Sequence, residues 1–128
     1  MKINKKTTDY NFAYLKVKPT SNNIFITLTD INGNVLLSKH AGLLDYKGSK
    51  KKTPFVASQV LNSLIMDIKQ ANINVKLFIL QISGYIRNSS INSIIRELDN
   101  LNINNIFYIE YLNLKTHNGL RLKKKRRL

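Results

Sequence analysis

Four lysines fall within the six residues Lys47-Gly48-Ser49-Lys50-Lys51-Lys52, directly ahead of Thr53-Pro54. That order puts positive charge where a helix would begin. Proline suits the first helical position, because its missing N–H would be unpaired there anyway, and threonine is a good residue to precede it. Backbone N–H groups at such an end point outward and favour an anion. Lysine adds charge to the same anion, and Ser49 and Thr53 can add hydroxyl donors. The chemistry is phosphate binding; the plainer alternative is a solvated surface loop.

A second cluster closes the chain. Residues 115–128 carry seven basic side chains and no acid, with Lys123, Lys124, Lys125, Arg126 and Arg127 in a row. Such a tail is expected to order on an anionic partner. Arg121 and His117 could stack on or bond to unpaired bases, although a lone histidine is as readily a turn residue. Asn118-Gly119 reads as a turn. A third run, residues 1–18, holds five lysines and one acid, Asp9. Together the three segments hold 16 of the 21 basic residues, and the remaining five stand against six acids.

The net charge of +14 on 128 residues calls for an anionic partner. Nucleic acid and an anionic membrane are the candidates. No basic run is interleaved with apolar residues at helical spacing, as a membrane anchor would be. The longest apolar runs, such as Val75 to Ile82, are too short to span a bilayer. The first residues lack the apolar core of a secretory signal and the arginines of a mitochondrial transit peptide. Nucleic acid is the expected partner, and no membrane.

Catalysis is poorly supported. Absence of cysteine excludes a disulfide scaffold, a cysteine-ligated zinc site and a thiol nucleophile. A metal-dependent nuclease needs converging carboxylates, and the chain has seven acids in all. Asp30 sits where a turn would hold aspartate anyway, and Asp99 and Glu110 lack metal-ligand spacing. The chain is expected not to be an enzyme and to need no cofactor or metal.

Several elements must position these clusters. Asn23 to Asp30 alternates like a strand, Asn32-Gly33 can supply the positive φ angles of a tight hairpin, and Val35 to His40 returns. Asn22 and Asn23 can either bond RNA or cap that first strand. Ala41 to Lys52 reads as a loop. From Thr53-Pro54 the apolar residues Phe55, Val56, Val60, Leu61, Leu64, Ile65 and Ile68 recur at helical spacing, fading near Asn72. Val75 to Ile82 fits a central strand buried on both faces. A second helix, capped by Asn88 or Ser89, carries Ile91, Ile94, Ile95, Leu98 and Leu101 to about Asn100. Arg87 just before it can fork two bonds to a phosphate, or else pair with Asp99 or Glu110. Ile106 to Leu114 is a last strand, with Tyr108 and Tyr111 in its packing. The order predicts a mixed sheet with crossover helices. Residues 1–20 are expected as a basic extension, 21–114 as one α/β domain and 115–128 as a basic tail.

In this order and spacing, the residues resemble the bacterial-type small-subunit ribosomal protein eleven family. They are Asn22-Asn23-Ile24, Thr29-Asp30, Gly33-Asn34, Ala41-Gly42, Tyr46 to Phe55, Arg87, Ser89, Ile91, His117-Asn118-Gly119, Arg121 and the run from Lys123 to Arg127. The match covers roughly Asn22 onward. The resemblance implies a ribonuclease-H-like α/β fold on the platform of the small ribosomal subunit. It also implies contacts with rRNA and neighbouring ribosomal proteins, near the path of exiting mRNA. A free-standing RNA-binding or RNA-chaperone protein is the alternative. Of the family's Gly-Pro-rich loop before the second helix only Gly84 and Arg87 remain, and the tail lacks the paired prolines. Heavy use of Asn, Ile and Lys is what an A+T-rich coding sequence produces, as in a mitochondrion. A plastid or an A+T-rich bacterium shows the same usage.

Overall fold

In the computed structural model, residues 8–20, 22–83, 89–100, 106–112, 118–124 and 127 are described. The first of them overturn one expectation. Thr8–Pro19 is a strand, β1, and it is the middle strand of the sheet. The basic extension expected over residues 1–20 is therefore part of the α/β domain from Thr8 onward. Ala13, Leu15 and Val17 alternate with Lys16 and Lys18, so one face is buried and the other is charged. Period-two alternation of this kind is what a half-buried strand requires.

Strands β2 (Ile24–Thr29) and β3 (Val35–His40) form the predicted hairpin. Of Asn32-Gly33, expected to supply positive φ angles, only the glycine does so, at 90°. Three residues, Ile31 to Gly33, are spanned by Asp30 N–H donating to the Asn34 carbonyl at 3.1 Å. The Gly33 N–H donates to the Asp30 carbonyl at 3.2 Å. This is the three-residue hairpin pattern with a left-handed glycine. The Asp30 carboxylate accepts from the Asn34 backbone N–H at 2.9 Å and from its side-chain amide at 3.2 Å.

Ala41 to Lys52 is not an open loop. It holds two short 3₁₀ turns, Ala41–Leu44 and Gly48–Lys52. Helix α1 follows as Pro54–Gln70 and ends at Asn72, whose φ of 54° makes it a left-handed helix stop. Strand β4 (Ile73–Ser83), helix α2 (Ser89–Asn100) and strand β5 (Ile106–Leu112) complete the chain order.

The sheet order is β3-β2-β1-β4-β5. β2 is antiparallel to both of its neighbours, while β4 is parallel to β1 and β5 is parallel to β4. Four strands thus run one way and β2 the other. β4 is interior and well buried in its second half, at Ile79, Leu80 and Ile82. The middle position, however, belongs to β1.

One core lies between a sheet face and the two helices. Ala13, Leu15, Val17, Ile24, Ile26, Leu28, Leu80 and Ile82 meet Val56, Ala57, Val60, Leu61 and Leu64 of α1 and Ile91, Ile94 and Leu98 of α2. Burying such side chains contributes about 1.5–3 kcal/mol each, measured against leaving them in water. Phe55 departs from the expected apolar stripe. It is 65% exposed, because at the first turn of α1 it faces away from the sheet. Lys39 on β3 pairs with Asp67 on α1 at 2.9 Å and ties the helix to the edge strand. Ser93 of α2 donates to the Pro54 carbonyl at 2.9 Å. The Ser58 hydroxyl lies 2.7 Å from that of Ser93 and 3.3 Å from the same Pro54 carbonyl. Small side chains thus join α2 to the first turn of α1.

Candidate nucleic-acid interface

Because β1, β3, β4 and β5 point the same way, the chain leaves all four strands at one edge of the sheet. Ligands of open α/β sheets gather outside that edge. Asn22 and Asn23 lie in the turn after β1, and the lysine cluster lies between β3 and α1. Arg87 follows β4 in sequence, and the basic tail follows β5. Lys69, in the last turn of α1, and Lys76, early in β4, belong to the far edge.

The lysine cluster is shaped before any ligand arrives. Gly48 has φ 61°, a conformation that suits glycine, and the 3₁₀ turn from Gly48 to Lys52 follows it. Lys47, Ser49 and Lys50 are exposed and Lys51 is half-buried. Thr53 precedes α1 as expected, but its hydroxyl has another task. It donates to the Lys50 carbonyl at 2.8 Å, alongside the Thr53 backbone N–H at 3.2 Å. Its one hydrogen is thereby used, so Thr53 shapes the lysine turn and gives no hydroxyl proton to a phosphate. The first turn of α1 consequently has no cap from the Thr53 side chain. Leu44, Asp45, Tyr46, Lys47 and Lys50 line an open depression of about 520 Å³ beside it.

Asn23 closes the turn after β1. The Thr20 N–H donates to the Asn23 carbonyl at 2.8 Å, and the Asn23 N–H donates to the Thr20 hydroxyl at 2.9 Å. The Asn23 side-chain oxygen accepts from the Ile24 N–H at 2.8 Å, so it caps β2. Asn22 is exposed beside it. In the tail, Asn118, Arg121, Lys123, Lys124 and Arg127 are exposed, and Asn118 takes φ 52°, as a turn there needs. Arg87, His117, Lys125 and Arg126 lie outside the described residues, as does the Lys52 side chain.

Three residues with suitable chemistry were not among the sequence candidates. Phe55 presents an exposed ring immediately after the lysine turn. Arg96 of α2 lines a recess of about 270 Å³ with Pro54, Asn92 and Ser93, so a second helix brings a cation to the start of α1. Lys18 ends β1 on the exposed face, at the edge where the lysine cluster lies. Helical spacing placed Phe55 in a core stripe, and nothing local to Arg96 tells which neighbour it meets.

Comparison with known proteins gives a consistent result. A sequence profile described as ribosomal protein S11 matches residues 13–127. The chain is 30% identical over 127 residues to the small ribosomal subunit protein uS11 of Orientia tsutsugamushi (strain Boryong), covering 99% of this chain and 97% of the relative. To the protein of the same name from Helicobacter acinonychis (strain Sheeba) it is 33% identical over 127 residues, covering 99% and 92%. To that of Anaplasma phagocytophilum (strain HZ) it is 31% identical over 130 residues, covering both chains in full.

Proposed function

This chain belongs to the ribosomal protein S11 family, and from that premise we propose how it holds its RNA. It is a structural constituent of the small ribosomal subunit, and rRNA binding fits the family. The edge where four strands end is its rRNA-binding edge. The observation that carries this is topological: Asn22, the lysine cluster, Arg87 and the tail are far apart in sequence, yet each follows one of the four co-directional strands.

In our reading Lys47, Lys50, Lys51 and Lys52 neutralise phosphates at the start of α1, with Ser49 as a hydroxyl donor. Thr53 holds the turn that presents them. Arg87, His117, Asn118, Arg121, Lys123, Lys124, Lys125, Arg126 and Arg127 extend the contact, and Asn22 and Asn23 border it. The family resemblance supports a place on the platform, among neighbouring small-subunit proteins and close to the exiting mRNA. The family is not a class of enzymes, and we read the chain as non-catalytic. Asp30, Asp67 and Glu110 each have a partner on the chain, at Asn34, Lys39 and Gln81.

No helix among the described residues is long and apolar enough to cross a membrane. The Asn-, Ile- and Lys-rich usage fits a mitochondrial ribosome, and equally a plastid or A+T-rich bacterial one. Sedimentation of ribosomal subunits from the native source tests the assignment. The protein should travel with the small subunit and leave it only at high salt. Recovery mainly as free protein would favour an independent RNA-binding or chaperone role, and organelle fractionation would decide the compartment.

A further inference from the structure

The core occupies one face of the sheet; on the other, one end is left uncovered and carries an ordered set of side chains. Lys18, Phe25 and His40 are register partners across β1, β2 and β3. The next row is Gln81, Lys16, Thr27 and Ser38, from β4 to β3. These residues alternate with the buried Val17, Ile24, Ile26 and Ile82, so they share the face turned away from both helices. Lys16, Lys18 and Ser38 are exposed, and Phe25 is 36% exposed.

The geometry points to a binding site for unpaired RNA nucleotides on this face, with the Phe25–His40 pair stacking a base and Lys16 and Lys18 taking the flanking phosphates. It rests on the reading of the chain as an rRNA-binding protein and adds a surface to the lysine-loop edge. Phe25 and His40 lie 5.6 Å apart between ring centroids, tilted by 48°. A side chain on Gly42 would put its Cβ 3.1 Å from the imidazole, so glycine there leaves the room the ring occupies. The His40 Nδ1 is buried without a hydrogen-bond partner among the described residues, while the residue as a whole is half-buried. Lys16 lies 5.9 Å from the Tyr14 ring centroid, so that ring helps to place the ammonium. Hydroxyls of Thr27 and Ser38, 3.5 Å apart, continue the row of Lys16 next to the row of the aromatics.

Aromatic rings flanked by lysines on a sheet face suit single-stranded RNA, because every base has a face to stack and every linkage a phosphate. Charge complementarity agrees. Glu110, the β5 register partner of Gln81 in the second row, accepts from the Gln81 amide at 2.7 Å and stands one strand beyond it from Lys16. A protein neighbour would favour a centre depleted of charge, whereas two lysines stand among the aromatics here.

Fluorescence anisotropy with the full chain tests this, using a labelled single-stranded octanucleotide and an abasic strand of equal length. The octanucleotide should bind about tenfold tighter than the abasic strand, since one stacked base contributes about 1–3 kcal/mol. Phe25→Leu should abolish that advantage while leaving the abasic affinity unchanged. Lys18→Gln, at an exposed position, should weaken both strands, and thermal melts check that each variant is folded. Equal affinity for the two strands, unaltered by Phe25→Leu, would overturn the proposal if the chain still binds folded small-subunit rRNA. Failure to bind that rRNA would instead overturn the rRNA reading itself. In assembled subunits, ultraviolet-induced nucleotide adducts on Phe25 or His40 would support the site. Adducts confined to the lysine loop, with Lys16 and Lys18 crosslinked only to a neighbouring protein, would assign the face to that protein and overturn the proposal.

Discussion

Thr53 shows how one hydroxyl divides structural from binding roles. Its side chain closes the turn onto the Lys50 carbonyl, and so presents Lys50 and Lys51 in front of α1. Thr53→Val keeps the shape and removes the bond, so it should cost about 0.5–1.5 kcal/mol of stability, read from a denaturant melt. Charge reversal acts differently. Lys50→Glu and Lys51→Glu should each weaken rRNA binding about tenfold, the loss of one charge-assisted bond of roughly 1.5 kcal/mol. Lys69→Glu and Lys76→Glu stand at the far edge of the sheet and should change it little. Equal losses at both edges in a filter-binding titration would count against the lysine turn as the contact.

At the scale of elements, α1 is held by a few deeply buried side chains. Leu61 is fully buried against the sheet, and Leu61→Ala should cost about 2–5 kcal/mol through lost burial and the cavity left behind. Phe55 is the larger side chain on the same helix, yet it is 65% exposed. Phe55→Ala should therefore shift stability by no more than about 0.5 kcal/mol. Parallel chemical melts of the two variants compare these costs directly. If Phe55→Ala proved as damaging as Leu61→Ala, the outward placement of that ring would be wrong. The bond from Ser93 to the Pro54 carbonyl makes a related point, since it fixes α2, and with it Arg96, against the first turn of α1.

For the whole molecule the charge of +14 governs behaviour. Each phosphate neutralised releases counterions, so binding should fall steeply with salt, by about 0.7 to 0.9 in the log–log slope per contact. A titration between low and moderate salt measures how many phosphates are engaged. Deleting residues 121–128 removes six of the 21 basic side chains and should flatten that slope. Arg121, Lys123 and Lys124 are exposed and Leu120 and Leu122 are 95% and 88% exposed, so the melting temperature should not move. A collapsed fold after truncation would make the tail structural.

Local chemistry made much of this legible from the amino-acid sequence alone. The Thr53-Pro54 start of α1, its end near Asn72, the glycine of the β2–β3 hairpin and the apolar run of β4 depend on neighbours a few residues away. The family resemblance rests on motifs of the same local kind. Strand β1 was missed because Lys16 and Lys18 stand on an exposed face and read as part of a charge run, while Ala13, Leu15 and Val17 reveal a strand only by alternation. Membership of a sheet is settled by its partners, here the adjacent β2 and the distant β4. That the lysine cluster and the tail each follow one of the co-directional strands depends on strand direction, and the row of Lys18, Phe25 and His40 depends on register. The first needs pairings between distant segments and the second the register of successive strands, so both exist only once the sheet has formed.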